Sequence, residues 1–110
     1  MRRTLLALVL LALQTGCLHE QTPTQLRGEI ERRGAHYFVT ECSTRRTFEL
    51  RLIPAAHVAL ERHVLTTQAE QPGPVLVELG GKTLPATPAT TADAIFDVYE
   101  QYAVRSGSCP

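Results

Sequence analysis

Apolar and polar residues alternate in several short segments of the chain, a two-residue period typical of half-buried β-strands. The period is clearest in residues 47–52, where Phe48, Leu50 and Leu52 occupy every second position. Residues 26–32 alternate in the same way, and residues 35–42 are rich in aromatic and β-branched side chains. Short polar turns separate these segments. The sequence therefore predicts three consecutive strands, of which the first two form a hairpin.

The period changes after residue 53. Pro54 suits the first turn of a helix, and residues 55–69 contain neither Gly nor Pro. Ala56, Leu60 and Val64 recur every four residues, so we expect them to face the core. The sequence Gln-Pro-Gly-Pro at residues 71–74 predicts the end of this helix.

A fourth strand is predicted after the helix, because apolar residues again recur at every second position, at Val75, Val77 and Leu79. We interpret Gly80 and Gly81 as a hairpin turn that ends this strand. Residues 84–92 are rich in Pro, Thr and Ala. This composition predicts an exposed loop.

Residues 94–104 predict a fifth strand from their density of β-branched and aromatic side chains. The side chains expected on one face of that strand are Phe96, Val98, Tyr102 and Val104. A helix remains the alternative, because the apolar side chains of this segment also cluster at spacings of three and four residues.

Three strands, one helix and two strands follow one another in the order βββαββ. This is the element order of the OB-fold, a five-stranded Greek-key barrel. The predicted fold class is thus mainly β with one helix, as a small five-stranded OB-like barrel.

The first residues resemble a bacterial lipoprotein export signal. Two arginines precede an apolar run at residues 5–13, and Thr15 and Gly16 stand before Cys17. We expect cleavage before Cys17 and acylation of that cysteine, with palmitate among the fatty acids. Gln14 departs from the usual pattern, which has Leu there. The alternatives are a plain secretory signal with Cys17 free, or an uncleaved anchor, although a membrane span needs about 20 apolar residues.

The predicted organisation is a signal peptide at residues 1–16, a lipidated tether at 17–25 and one barrel domain at 26–110. Removal of the signal leaves 9 basic and 11 acidic side chains, because Arg2 and Arg3 account for two of the 11 basic ones. A net charge of −2 and the absence of Trp argue against nucleic-acid binding, which rests on phosphate neutralisation and base stacking.

Cys42 and Cys109 remain as a pair if Cys17 carries lipid, and an oxidising periplasm favours a disulfide between them. A metal or redox site is the alternative, but their separation has no CxxC spacing. A free Cys42 beside a histidine would be a nucleophile pair, which a disulfide abolishes. We therefore predict no catalytic residues.

Two histidines on the predicted helix, His57 and His63, are six residues apart, about 240° around the helix axis. They do not share a face, so we predict no metal site there. His19 and His36 have no carboxylate or cysteine at ligand spacing. We predict neither a metal nor another cofactor.

Several short motifs resemble the C-terminal OB-fold domain of the NlpE-like envelope lipoproteins. They are Gly28, residues 38–44 (Phe-Val-Thr-Glu-Cys-Ser-Thr), residues 48–50, residues 60–61 and residues 74–81 (Pro-Val-Leu-Val-Glu-Leu-Gly-Gly). Arg45 stands where that family has a turn glycine. The sequence has no counterpart of the family's N-terminal copper-associated domain with its CxxC motif.

The resemblance implies an outer-membrane-anchored lipoprotein facing the periplasm, acting as a non-enzymatic binding, sensing or accessory module of the cell envelope. Leu18, rather than Asp, follows Cys17, which favours the outer membrane. The expected partners are the membrane, through the lipid, and an envelope protein. The expected contact face comprises Tyr37, Val39, Glu49 and Arg51. The alternative function is a lipidated periplasmic immunity or inhibitor protein directed against a secreted toxin.

Overall fold

The structure, a computed structural model, describes residues 24–110. It contains five strands and one helix in the predicted order βββαββ. The elements are β1 (Thr24–Arg33), β2 (His36–Glu41), β3 (Thr47–Arg51), α1 (Pro54–Glu70), β4 (Val75–Pro85) and β5 (Ala94–Ser106).

The five strands form one sheet that closes on itself in the order β1-β2-β3-β5-β4. β3 and β5 are parallel, through residues 48–51 and 94–97, and the other neighbours are antiparallel. Closure depends on β1, which pairs with β4 through residues 24–29 and with β2 through residues 28–33. β1 therefore completes the ring by pairing with β4 along its first half and with β2 along its second half.

Gly28 lies where these two pairings of β1 overlap, opposite Glu41 on β2 and Val77 on β4. A Cβ atom at this position would lie 2.8 Å from Val39 Cγ1 and 2.7 Å from the Thr40 carbonyl carbon. Real Cβ atoms do not approach other atoms so closely. Only glycine permits β1 to approach the backbone of β2 this closely.

The core fills the inside of the ring, and α1 covers one end of it. Phe48 and Phe96 meet edge to face with ring centroids 6.3 Å apart, a favourable aromatic geometry. Leu60 and Val64 of α1 are buried against the strands, as predicted, whereas Ala56 is only half-buried. The buried core side chains of the strands are Leu26, Tyr37, Val39, Phe48, Leu50, Val75, Val77, Leu79, Ala94 and Phe96.

Two of the predicted boundaries were wrong. Thr24 and Gln25, assigned to the tether, already pair with Gly81 and Gly80 as the start of β1. Gly80 and Gly81 form no hairpin turn, because β4 continues through them to Pro85 and pairs with β5 on the way. A Cβ at position 81 would lie 3.1 Å from Phe96 Cε2 and closer still to the Asp97 carbonyl oxygen. These glycines allow β4 and β5 to approach closely.

The strand predicted at residues 94–104 is confirmed, but its two faces are not as expected. The β4–β5 register shifts between Glu78 and Leu79 and again between Gly80 and Gly81. Each shift leaves one residue of β5 without a partner, Tyr102 and Tyr99 respectively, which is the geometry of a β-bulge. Tyr102 was expected beside Phe96 on the inner face. The bulge turns it outward, and it is 47% exposed.

Replacing Gly28 with Ala is expected to destabilise the domain by about 3 kcal/mol or more, because overpacking against backbone cannot be relieved by a rotamer change. The measurement is urea unfolding of the full chain followed by circular dichroism. Gln25→Ala, at an exposed position of the same strand, is the matched control and should change the free energy of unfolding little. A Gly28→Ala variant as stable as that control would contradict the tight crossing of β1.

Candidate interaction surface

A disulfide bond joins Cys42, directly after β2, to Cys109 in the tail that follows β5. Their Cα atoms are 5.3 Å apart, within the ordinary range for disulfides. The predicted pairing is confirmed. Cys17 and the export signal lie outside the described residues.

The C-terminal tail is held against the outside of the sheet by hydrogen bonds from its backbone N–H groups as well as by the disulfide. The Cys109 N–H donates to the Glu29 carboxylate at 3.1 Å, and the Gly107 N–H donates to the Pro74 carbonyl at 2.9 Å. Leu76 points away from the core, since Val75 and Val77 point into it, yet it is only 6% exposed. A Cβ at Gly107 would lie 3.6 Å from Leu76 Cδ1, so the tail covers this outward leucine.

The turn between β2 and β3 carries Arg45 in the left-handed conformation, with φ of 61°. The Arg45 N–H donates to the Glu41 carbonyl at 2.9 Å, and the Glu41 N–H donates to the Arg46 carbonyl at 2.8 Å. These bonds define a tight turn at the position where the resemblance led us to expect a glycine. Arg45 adopts a backbone conformation that favours glycine.

Two residues of the predicted contact face, Tyr37 and Val39, belong to the core. They are 2% and 0% exposed. Both sides of β2 are apolar at this point, because Phe38 is buried on the outer side beneath the Arg33 guanidinium, 4.5 Å from its ring centroid. The prediction that Tyr37 and Val39 contact a partner was therefore wrong.

Tyr37 packs under the near end of α1. Its ring centroid lies 5.4 Å from that of His57, and the Arg32 guanidinium lies 5.9 Å from it. Arg32 Nη1 also donates to Glu61 Oε1 at 2.8 Å, which links β1 to the helix. Burial raises the pKa of Tyr37 above its ordinary value, and the Glu61 carboxylate adds to this, while Arg32 acts in the opposite direction. The phenol stays neutral and serves packing.

The other two predicted contact residues lie on the outside of β3. Arg51 is exposed, and its Nε is 3.5 Å from the Asp97 carboxylate on β5. Glu49 is half-buried, because Thr90 donates a hydrogen bond to its carboxylate at 2.7 Å. His36 Nδ1 lies 3.9 Å from the same carboxylate. The structure thus brings Glu49 and Arg51 together on one face.

The loop between β4 and β5 is fastened to this face, a feature that the sequence analysis missed. The Asp93 carboxylate accepts from the Thr47 N–H at 2.8 Å, and the Asp93 N–H donates to the Thr47 carbonyl at 2.9 Å. Thr90 Oγ1 also accepts from the Ala92 N–H at 3.1 Å. A Thr and an Asp before a strand indicate a local turn, but no sequence signal showed that the turn would dock on β3.

The two helix histidines lie on different sides of α1, as predicted. The His57 ring lies against that of Tyr37 at an interplanar angle of 51°, whereas His63 Nδ1 makes a short contact with Gln101 Nε2 on β5. Within residues 24–110, the structure groups no three His, Cys, Asp or Glu side chains in a way that could hold a metal ion. Over the same range, α1 is not apolar enough over a sufficient length to cross a membrane.

Comparison with known proteins gives a fold and no family assignment by sequence. No protein-family profile matches the chain, and no curated protein matches it. Among solved structures, a chain described as the Cpx pathway activator NlpE from Escherichia coli matches with a TM-score of 0.51 and 24% sequence identity.

The closed five-stranded sheet with its single helix is therefore an NlpE-like fold. The match covers 74% of this chain and 40% of the NlpE chain, so the present chain corresponds to less than half of that protein. The predicted resemblance to NlpE is confirmed at the level of the fold.

Removal of the disulfide by the double substitution Cys42→Ser and Cys109→Ser is expected to cost about 4 kcal/mol on the chain-entropy account of a bond spanning 67 residues. The measurement is the urea midpoint of the full chain. The wild type in reductant should move to the midpoint of the double variant, while the double variant itself should not respond to reductant. An unchanged midpoint on reduction would contradict a stabilising role for the bond.

Replacing Arg45 with Gly is expected to make the domain about 1 kcal/mol more stable than replacing it with Ala, because an L-residue pays roughly that amount in the left-handed region. Both variants lose the same side chain, including its 3.9 Å approach to the Glu29 carboxylate. Thermal and urea unfolding of the pair isolate the backbone effect. Equal stabilities, or a more stable Ala variant, would show that the turn does not hold a positive φ at this residue.

Proposed function

We propose that this chain is a lipid-anchored module of a bacterial envelope that faces the periplasm and acts by binding or sensing, without catalysis. The observation that carries this proposal is the NlpE-like fold. The matched protein is described as a pathway activator, and we transfer only the general role of an envelope sensing or accessory module.

The OB-like barrel is part of the same proposal. The ring order β1-β2-β3-β5-β4, with the helix between β3 and β4, is consistent with the five-stranded Greek-key barrel of OB-folds. Such barrels commonly use the outer face of β2 and β3 and the loop between β4 and β5 for binding. In this chain that face carries Glu49 and Arg51, with Thr90 of the loop against Glu49.

Anchoring rests on Cys17 and on the export-signal pattern before it. The mature chain then begins at Cys17, and the tether comprises residues 17–23, because β1 starts at Thr24. Leu18 after the lipidated cysteine favours the outer membrane. The Cys42–Cys109 disulfide supports an oxidising compartment such as the periplasm.

The disulfide of Cys42 supports the absence of catalysis, because Cys42 was the candidate nucleophile. A thiolate is the nucleophilic form of cysteine, and Cys42 has its sulfur bonded to Cys109. The two charged side chains of the contact face are engaged with neighbouring residues, Arg51 with Asp97 and Glu49 with Thr90. Nothing in the described part of the chain favours the alternative role as an immunity or inhibitor protein.

The proposal predicts that the full chain, produced in a Gram-negative host, partitions with the outer membrane and has an intact mass that starts at an acylated Cys17. A photo-crosslinking amino acid at position 51 should give a discrete adduct with an envelope protein, because this exposed position lies on the binding face.

Two variants serve as controls for that experiment. Cys17→Ser should abolish acylation and release the chain from the membrane. The same crosslinker at Gln68, an exposed position of α1 outside the β2–β3 face, should give no such adduct. An unacylated chain, or identical adducts from positions 51 and 68, would contradict the proposal.

A further inference from the structure

The large apolar side chains that remain exposed collect on the helix side of the domain. Within residues 24–110 they belong to α1, to the residue directly before it, or to the part of β5 that borders it. They are Ile53, Val58, Leu65, Tyr99 and Tyr102. The barrel therefore has one side on which apolar surface is concentrated.

The outward side of α1 contributes most of this surface. One set of helix residues recurs at alternating spacings of three and four, so its members share one face of the helix. The set comprises Ala55, Val58, Arg62, Leu65 and Ala69. All of them are exposed, and all but Arg62 are apolar. We call this set the outer face of α1.

Arg62 lies in the middle of the outer face. Within residues 24–110 no carboxylate forms an ion pair with its guanidinium, whereas Arg32 pairs with Glu61 of the same helix. A guanidinium matches the geometry of a phosphate and binds it through paired hydrogen bonds. The outer face thus combines an apolar strip with a cation at its centre.

The proposed anchor keeps the domain close to a bilayer. Residues 17–23 join the acylated Cys17 to β1, and a segment of this length spans at most about 25 Å. Thr24 pairs with Gly81, and Gly81 pairs with Val98, which borders α1. Neighbouring strands are about 4.8 Å apart, so β1 begins about 10 Å from the strand that α1 covers.

The tether is long enough for α1 to reach that bilayer. A helix with its side chains is about 10–12 Å across. The outer face of α1 therefore lies about 20 Å from the start of β1, within the span of the tether. Anchoring holds the outer face and the lipid surface together in one molecule, which favours their contact through a high effective concentration.

We propose that the outer face of α1 rests on the surface of the bilayer that carries the Cys17 lipid. Val58 and Leu65 enter the boundary between head groups and acyl chains, as the apolar residues of interfacial helices do. Arg62 binds a lipid phosphate, and the two exposed tyrosines of β5 lie at the level of the head groups, where tyrosine is favoured. The inference rests on the proposed lipid anchor.

The central arginine favours a lipid surface over a second copy of the chain. A two-fold axis through the outer face would bring the two Arg62 side chains together, and like charges repel. A bilayer that contains anionic lipid offers negative charge across the whole face. Because α1 packs on β4 and β5, the contact does not use Glu49 or Arg51 of β3.

The test uses one tryptophan as a reporter, because the chain contains none. The acylated full chain with Val58→Trp is reconstituted in vesicles of phosphatidylethanolamine and phosphatidylglycerol with brominated acyl chains, since bromine quenches tryptophan on contact. Val58 is 55% exposed, so the larger ring fits. We expect quenching and a blue shift of the emission. Ala89→Trp, at an exposed position of the β4–β5 loop, is the matched control and should stay unquenched.

Second substitutions test the chemistry of the contact. Leu65→Glu places a charge on the outer face and should reduce the quenching of Val58→Trp to the level of Ala89→Trp. Gln68→Glu adds the same charge at an exposed position of α1 outside the outer face, and should leave the quenching unchanged. Arg62→Gln should remove the difference in quenching between vesicles with and without phosphatidylglycerol.

Equal quenching at positions 58 and 89, in vesicles that retain the chain, would overturn the inference. So would quenching at position 58 that Leu65→Glu leaves intact. Crosslinking between copies that Leu65→Glu abolishes, in place of quenching, would also overturn it, since the face would then hold a second copy. These results would leave the anchor standing. A chain whose intact mass shows no acylation of Cys17 would overturn the proposed anchor and this inference with it.

Discussion

The rest of the structure depends on the double pairing of β1. A closed five-stranded sheet requires every strand to bond with a neighbour on each side. In β1 the two pairings overlap at Gly28, which pairs with β2 and β4 at once. A side chain there would collide with the backbone of Thr40, so the absence of a Cβ atom permits closure. The closed ring in turn creates the interior that the core side chains and one face of α1 fill.

The disulfide reinforces the same region from outside. Cys42 follows β2, and the tail that carries Cys109 crosses the outer side of β1, where Glu29 accepts its backbone N–H. The bond therefore ties the end of the chain across the strand that closes the ring. It also keeps the tail against Leu76, an outward-facing apolar side chain. A domain of this size has a small core and gains much from such a bond.

The order of elements and the helix could be predicted because each has a local signal, a period or a proline. The cysteine pair could be predicted because Cys42 and Cys109 are the two that remain once Cys17 is assigned to the lipid. Which side chains of β2 and β5 point into the core could not be predicted from the sequence. Tyr37 and Phe38 are both apolar, so alternation did not show which of them points inward. In β5 the two bulges make the inward positions Val98, Gln101 and Val104 recur every third residue. The helix alternative rested on Ile95, Val98, Tyr99 and Tyr102, of which Tyr99 and Tyr102 are the two bulged residues. The bulges arise from pairing with β4. The sequence of β5 alone does not indicate them.

The functional account follows from the same geometry. The β2–β3 face is partly occupied by the loop that holds Glu49. The core beneath this face is enclosed only if the sheet closes through β1. The most direct test is an NMR measurement of cross-strand proton contacts of Gly28 in the oxidised full chain. The account predicts contacts from Gly28 to Glu41 of β2 and to Val77 of β4 in the same molecule. Contacts to one strand without the other would show an open sheet and would contradict the account.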